Sequence, residues 1–354
     1  MDSTYGLNQC IVTITRNCNL RCEFCYAKKT GYNALEYVEY NRLKQVIDFC
    51  SDAKVKYVAL TGGEPLLYPE LVDLLLYIGS RTHKMISTIA TNGILMDSYE
   101  LCKRLLDCGL GYVDVSLKGK DSQEWLNVTG VDGVKRQLEA ISNLASLNAD
   151  FTCSMVITHN NVNTYCETVK NAYDSGARNF SFTFVIDNEK FGIKDLQYLE
   201  LNDPLLLVDT FLEQIDRLNQ ITKGEWWIEY SFPLCVYTEE QLSKLEGRLA
   251  APCHVFYGYS LTLDAKLNVI PCSMFIDDLM GKFGLDFSSA AEFLRFKEQK
   301  SYVSTMASLG RLPSGDCTFC QYKEACLGGC PWFWKHCSFE AFKEFKKGKD
   351  SVRF

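Results

Sequence analysis

The sequence predicts an α/β fold built on a parallel sheet, followed by a smaller cysteine-rich part. Strand-like apolar runs alternate with helical spacing about six times between residues 10 and 185, and the unusual loop sequences come directly after strands. Beyond about residue 313, cysteine and glycine replace any periodicity. Alternation in units of roughly 25–35 residues implies parallel strands with right-handed crossovers, as an open sheet or a partial barrel. In either arrangement the loops after the strands carry the chemistry.

Residues 10–15 read as a buried strand, and the loop 16–26 follows. Leu43, Val46, Ile47 and Cys50 have helical spacing within 36–51. A short strand over 56–60 leads into Thr61-Gly62-Gly63-Glu64-Pro65, and 69–79 is helical. The strand 84–90 ends at Thr91-Asn92-Gly93 before a helix over 97–108. The strand 112–117 ends at Lys118-Gly119 before a helix over 132–147. The strand 151–157 ends at Thr158-His159-Asn160-Asn161 before a helix at about 162–175, and a strand over 179–185 closes the series. Beyond it the pattern predicts a helix over 204–219, a strand over Trp226–Tyr230 and a hairpin at about 258–271. The boundary between the parts falls near 232–252, giving segments 1–232 and 233–354. The aperiodic end cannot build a core of its own and is expected to fold around metal.

Composition narrows the function. Of the 354 residues, 47% are hydrophobic and 23% charged, an ordinary globular balance. The net charge of −7 argues against binding nucleic acid through its backbone. The longest apolar run, Leu71–Ile78, is too short to cross a membrane and carries Asp73. The N-terminus has no secretory signal pattern, so a cytoplasmic protein is expected. Lys343, Lys346, Lys347, Lys349 and Arg353 read as a solvated helix end.

Cysteine is the outlier, at 17 residues against 4 histidines. In a long chain without an export signal, clustered cysteines point to metal or catalysis rather than disulfides. Cys18-x-x-x-Cys22-x-x-Cys25 follows the first strand. Cys253, Cys272, Cys317, Cys320, Cys326, Cys330 and Cys337 lie toward the other end. Cys10, Cys50, Cys102, Cys108, Cys153, Cys166 and Cys235 are scattered, and small buried hydrophobes account for them. Three thiolates in the first set can hold three irons of a cubane and leave one free, whereas structural zinc wants four ligands.

Cys18-Asn19-Leu20-Arg21-Cys22-Glu23-Phe24-Cys25-Tyr26, Thr61-Gly62-Gly63-Glu64-Pro65, Ala90-Thr91-Asn92-Gly93 and Val115-Ser116-Leu117 together resemble the radical S-adenosylmethionine (SAM) superfamily over about 10–185. The resemblance implies a partial (β/α)6 TIM-like barrel. It also implies a 4Fe–4S cluster on Cys18, Cys22 and Cys25 whose open iron chelates SAM. One electron then cleaves SAM to a deoxyadenosyl radical that abstracts hydrogen from the substrate. Gly62 and Gly63 would let backbone approach the methionyl group. Glu64 would accept from the SAM ammonium, Tyr26 would meet the adenine edge, and Asn92 belongs to the same shell. Ser116 and Lys118 would meet the SAM carboxylate or ribose. Relatives with a cysteine tail often read Ser-Leu-Asp-Gly where this chain has Ser116-Leu117-Lys118-Gly119, so Lys118 either pairs with the carboxylate or is solvated.

The second cysteine pattern resembles the SPASM extension of radical SAM enzymes, over about 250–340. That implies a small cysteine-rich α+β SPASM domain with two auxiliary 4Fe–4S clusters. Cys253, Cys272 and Cys330 would hold one. Cys317, Cys320, Cys326 and Cys337 would hold the other. The first of these lacks a fourth thiolate because 254–260 contain no cysteine; the position stays open, takes water, or takes Cys235. Ala265-Lys266 replaces the glycine usual in the preceding hairpin. One zinc on Cys317, Cys320, Cys326 and Cys330 is the competing reading.

The resemblance implies peptide or protein modification: crosslinking of a ribosomal peptide, formylglycine formation as in anaerobic sulfatase maturation, or dehydrogenation of a small molecule such as an amino sugar. Sulfatase maturases carry Asp directly after the Pro-Cys of the hairpin, whereas Ser273 follows Pro271-Cys272 here, with Asp277 and Asp278 further on. Only 17 residues precede Cys18, so a leader-binding domain is not expected there, and any leader recognition would need a separate leader-binding protein or the sheet edge. An external one-electron reductant of flavodoxin or ferredoxin type is implied. Trp226, Trp227, Trp332 and Trp334 are expected in the core or around clusters, and His159, His254 and His336 in structural roles. The sequence reading is thus a peptide maturase, with a small-molecule dehydrogenase as runner-up and an iron–sulfur carrier or zinc-dependent binding protein behind it.

Overall fold

The computed structural model describes residues 6–28, 31–33, 35–186, 193–229, 232–250 and 252–350. Tyr230 and Arg353 lie outside the described residues. Six parallel strands form the first part of one sheet: β1 (Gln9–Thr15), β2 (Tyr57–Gly62), β3 (Ile86–Thr91), β4 (Leu110–Leu117), β5 (Phe151–Ile157) and β6 (Phe180–Phe184). Each pairs with its predecessor, so the sheet grows in chain order. Helices α1 (Tyr40–Asp52), α2 (Leu71–Gly79), α3 (Tyr99–Asp107), α4 (Ser122–Thr129), α5 (Val134–Ser146) and α6 (Tyr165–Asp174) fill the crossovers. All six expected strands are present, within two residues of their expected ends. This is the core of a partial TIM-like barrel.

The structure adds to the expected pattern. Helix α4 was not legible, because its eight residues place only Trp125, Val128 and Thr129 inward. Asp121 caps it by accepting from Glu124 N–H. The expected helix over 204–219 is two, Pro204–Leu212 and Ile215–Thr222. Asp203 starts the first by accepting from the N–H groups of Leu205 and Leu206, with proline in its first turn. Strand β7 (Trp226–Ile228) joins β6 as a seventh parallel strand.

The hairpin β8 (Ser260–Leu263) and β9 (Asn268–Ile270) is antiparallel as expected. Its edge then pairs in parallel with β1, and β10 (Gly281–Lys282) extends the sheet further. The strand order is β10-β9-β8-β1-β2-β3-β4-β5-β6-β7, so the sheet runs unbroken from barrel to tail and stays open between its two outer strands. Where glycine is missing from the hairpin turn, Leu267 takes the positive φ of 61°, and Asp264 Oδ1 accepts from the N–H groups of Lys266 and Asn268. The Phe49 ring of α1 meets Phe283, Phe287 and Phe293 at centroid distances of 5.5–5.7 Å, sealing the tail against the barrel. Among the described residues no helix is long and apolar enough to cross a membrane.

Candidate active site at the barrel mouth

Strand β1 changes register against β2 between Thr13 and Thr15, and the chain then turns into the cysteine loop. The β2 end receives that turn through backbone: Gly63 N–H donates to Thr15 O at 2.8 Å and Glu64 N–H to Asn17 O at 2.7 Å. A Cβ on Gly62 would lie 2.1 Å from Thr15 O, and one on Gly63 would lie 2.1 Å from Asn17 O. Both glycines are therefore required by the packing of the cysteine loop itself, whatever else they meet.

Polar side chains lock this loop to its neighbours. Glu64 is 1% exposed, and its carboxylate accepts from Thr91 Oγ1 at 2.7 Å, Asn92 N–H at 2.8 Å and Leu66 N–H at 3.1 Å. Burial raises its pKa, while these bonds and the Lys118 charge oppose that rise. Asn92 Nδ2 donates to Asn19 Oδ1 at 2.8 Å, bridging from β3 to the cysteine loop. Gln137, a buried polar residue on the apolar face of α5, donates to the carbonyls of Asn92 at 2.8 Å and Ser116 at 3.0 Å. Sequence reasoning missed Gln137; its signal is a polar residue among Val134, Ile141 and Leu144 on the buried stripe. Helix α4 holds the far side, where Thr129 O and Val128 O accept from the N–H groups of Arg21 and Glu23.

Lys118 is not solvated. It is 5% exposed, its Nζ donates to Ser116 Oγ at 2.6 Å, and it lies 5.1 Å from the Phe24 ring centroid. Its charge lowers the pKa of the Cys22 thiol against the upward push of burial, which is the larger cause. Burial raises the Cys18 thiol to about 11. Tyr26 donates its hydroxyl to Gly62 O at 3.3 Å and is raised to about 12 by burial, then by the Cys25 charge, with a bond to Ser273 opposing. Tyr26 thus spans from the first cysteine set to the tail.

A cavity of about 470 Å³ opens here at the carboxyl ends of the strands. Cys18, Cys22, Cys25, Tyr26, Gly62, Gly63, Glu64, Asn92, Ser116 and Lys118 all line it. From the tail come Ser273, Met274, Cys330 and Trp332, and from β5, β6 and the chain just after β6 come Val156, Phe184, Val185 and Ile186. Cys330 carries the charges of both Cys272 and Cys253 as secondary causes of a pKa that burial raises to about 12, so these three thiols are neighbours. Cys235 stands apart from them, beside Cys317 and Cys326. Among the described residues, no three His, Cys, Asp or Glu side chains converge on one ion position.

Of the histidines expected in structural roles, His336 stacks on Tyr198 at 4.5 Å, whereas His159 is exposed. Trp226 is in the core, Trp227 Nε1 donates to Glu229, and Trp334 lies in the tail. Lys343, Lys347 and Lys349 of the basic C-terminal helix are exposed, as expected of a solvated end, and Lys343 and Lys349 pair there with Asp316 and Asp203, both at 2.7 Å.

Residues 12–172 match the model of the radical SAM superfamily. A probable GTP 3′,8-cyclase of Archaeoglobus fulgidus is 33% identical over 130 residues, which are 37% of this chain and 42% of that protein. The match spans less than half the length of that relative. SuiB of Streptococcus suis bound to precursor peptide SuiA superposes with a TM-score of 0.66 at 17% identity, over 92% of this chain and 72% of that one. anSMEcpe with bound AdoMet superposes with a TM-score of 0.68 at 15% identity, over 96% of this chain and 93% of that one. At such identity these two likenesses show the fold alone, and the matched residues 12–172, less than half of the chain, are what is similar to the radical SAM superfamily.

Proposed function

We propose that the chain is a radical SAM oxidoreductase of the SPASM type that matures a ribosomally made peptide, by intramolecular crosslinking or a related oxidation. The observation that carries this reading is the shared cavity: Cys330, Trp332, Ser273 and Met274 of the tail face the space onto which Cys18, Cys22 and Cys25 open. A substrate there would lie between two cysteine sets. The likeness in fold to SuiB and anSMEcpe extends over at least 92% of the chain, tail included, which supports a peptide as substrate.

Cys18, Cys22 and Cys25 would hold the SAM-binding cluster, which supplies the electron for SAM cleavage when bound. Lys118, oriented by Ser116 Oγ, offers a buried ammonium to the SAM carboxylate. Glu64 uses three acceptor positions within the protein and leaves its remaining lone-pair capacity for the SAM ammonium. Tyr26 borders the adenine side, and Asn92 holds the loop that shapes it. Val156, Phe184, Val185, Ile186, Met274 and Trp332 make the opposite wall apolar and keep water from the reacting atoms. Cys253, Cys272 and Cys330 would hold one auxiliary cluster and the remaining tail cysteines a second, as acceptors of the electron that the oxidised substrate gives up. A flavodoxin- or ferredoxin-type donor and a separate leader-binding protein complete the system, in a reducing cytoplasm that keeps the cysteines as thiols.

The likeness to a probable GTP 3′,8-cyclase favours a second reading, in which the substrate is a small molecule. Anaerobically reconstituted protein should be given SAM, reductant and either short peptides encoded beside its gene or candidate small molecules, GTP and amino sugars included. The peptide reading expects deoxyadenosine together with a peptide product lighter by two hydrogens. Turnover of GTP or an amino sugar with every peptide unchanged would overturn it.

A further inference from the structure

A second cavity, of about 330 Å³, lies within the tail, and its wall carries four cysteines: Cys235, Cys317, Cys320 and Cys326. The last three belong to one set by sequence resemblance. Cys235 reaches them from the 3₁₀ turn Leu234–Val236, which follows the barrel. Both sides of that turn are tied to the tail. Leu234 N–H donates to Cys326 Sγ at 3.3 Å, and Lys346 Nζ donates to Cys235 O at 2.7 Å.

Cys337, the fourth member by resemblance, is placed differently. Trp334 and Phe339 line the cavity, but Cys337 between them does not. It is 4% exposed, within the apolar cluster of Phe333, Phe342 and Phe345. Its Sγ points back to Phe333 O at 3.9 Å, inside its own turn. Its thiol is raised to about 12 by burial, then by the charges of Asp195 and Cys235. Cys235 is exposed as a residue, not the buried hydrophobe expected, yet its thiol is crowded enough by neighbours that burial, then Cys326, raises it to about 12, with Cys317 adding and Lys346 opposing.

We infer that Cys235 is the fourth thiolate of the metal site formed by Cys317, Cys320 and Cys326, in the position that resemblance gives to Cys337. The inference rests on the proposed reading that these tail cysteines hold metal. Four thiolates around an apolar cavity suit an iron–sulfur cluster or zinc. A metal held this way would bind the turn after β7 to the tail and so fix the tail against the barrel.

The test uses the full chain, reconstituted anaerobically, as wild type, Cys235→Ala, Cys235→Ser and Cys337→Ala. Iron, sulfide and zinc are counted, and the reduced proteins are examined by electron paramagnetic resonance. Retained SAM cleavage reports a folded barrel. With three cubanes the wild type holds about 12 irons, Cys235→Ala falls to about 8, and Cys337→Ala stays near 12. Cys235→Ser, which offers oxygen for sulfur, should shift the spectrum of one auxiliary cluster. Loss of four irons in Cys337→Ala with none lost in Cys235→Ala would overturn the inference. One zinc lost with Cys235→Ala and kept in Cys337→Ala would uphold the ligand and overturn the two-auxiliary-cluster reading. A wild type with no metal at this set would overturn both.

Discussion

The two cysteine-bearing regions hold their thiols by opposite means. The loop 16–26 is fixed by long-range contacts: Asn17 O accepts from Glu64, Asn19 from Asn92, and Thr129 O and Val128 O from the loop backbone. The tail around 314–326 is held mainly by bonds to near neighbours, from Cys317 to Ser314, Cys320 to Cys317, Lys323 to Cys320 and Cys326 to Tyr322. Its elements are one 3₁₀ turn and a four-residue helix, Leu327 takes a positive φ of 46°, and Phe319 is 91% exposed. The barrel mouth is organised by the protein before any cofactor arrives. Under the proposed reading, the tail leaves part of its organisation to metal.

Metal removal should show this contrast most strongly. Chelation followed by limited proteolysis should cut the tail between about 310 and 330 while the barrel persists, because binding free energy at such sites is folding free energy on the order of 10 kcal/mol. Mass spectrometry of the fragments checks this. Equal cutting in the 16–26 loop would break the contrast.

A matched glycine pair sharpens it. Gly63→Ala drives a Cβ to 2.1 Å from Asn17 O, against backbone that cannot move without displacing Cys18, so a loss above about 4 kcal/mol and loss of the first cluster's iron are expected. Gly315→Ala in the tail meets nothing within 4 Å and should change stability by less than about 0.5 kcal/mol. Urea unfolding and iron content measure both.

The same contrast explains what the sequence made legible. The six strands and their mouth loops could be read because period-two and period-3.6 patterns arise from burial against one continuous sheet. Cys18, Cys22, Cys25 and Gly62 to Glu64 could be read because their spacing is local. The parallel pairing of β8 with β1 could not, since it joins residues 9–12 to 260–263 and no local pattern encodes a partner that distant. The position of Cys235 was hidden for the same reason: only the fold brings it to Cys326. The reason for Gly62 and Gly63 also changed, because a Cβ there would strike Thr15 O and Asn17 O, contacts that no sequence pattern reveals.

A pH experiment tests whether the barrel interior is as firmly set as its mouth. Asp114 of β4 is raised from 3.8 to about 6, chiefly by burial, with Ser154 and Lys118 opposing. A carboxyl raised in the folded state contributes stability that is fully present below the unfolded pKa and lost as pH rises through the folded pKa. Wild type should therefore lose up to about 3 kcal/mol relative to Asp114→Asn between about pH 4 and pH 7. Urea midpoints of both proteins across that range check the slope. A constant difference would mean that the carboxyl is hydrated and the barrel interior open.

Among the substitutions expected to destabilise, Gln137→Leu should have the smallest effect, and it asks the most specific question. Leucine keeps the apolar stripe of α5 and removes only the amide that bridges Asn92 O and Ser116 O. Leaving those carbonyls without the donor should cost about 2 kcal/mol. The stability change alone would not separate a packing role from a positioning role. The two bonded residues carry different contacts, Asn92 to the cysteine loop and Ser116 to Lys118. If Gln137 sets the mouth, the variant should bind SAM more weakly while its tail iron is unchanged. If it only packs α5, SAM binding should follow wild type at temperatures where both are folded. The weaker-binding result would place preorganisation in a polar lattice that extends one layer beneath the cysteine loop, a layer with no counterpart among the local bonds of the tail.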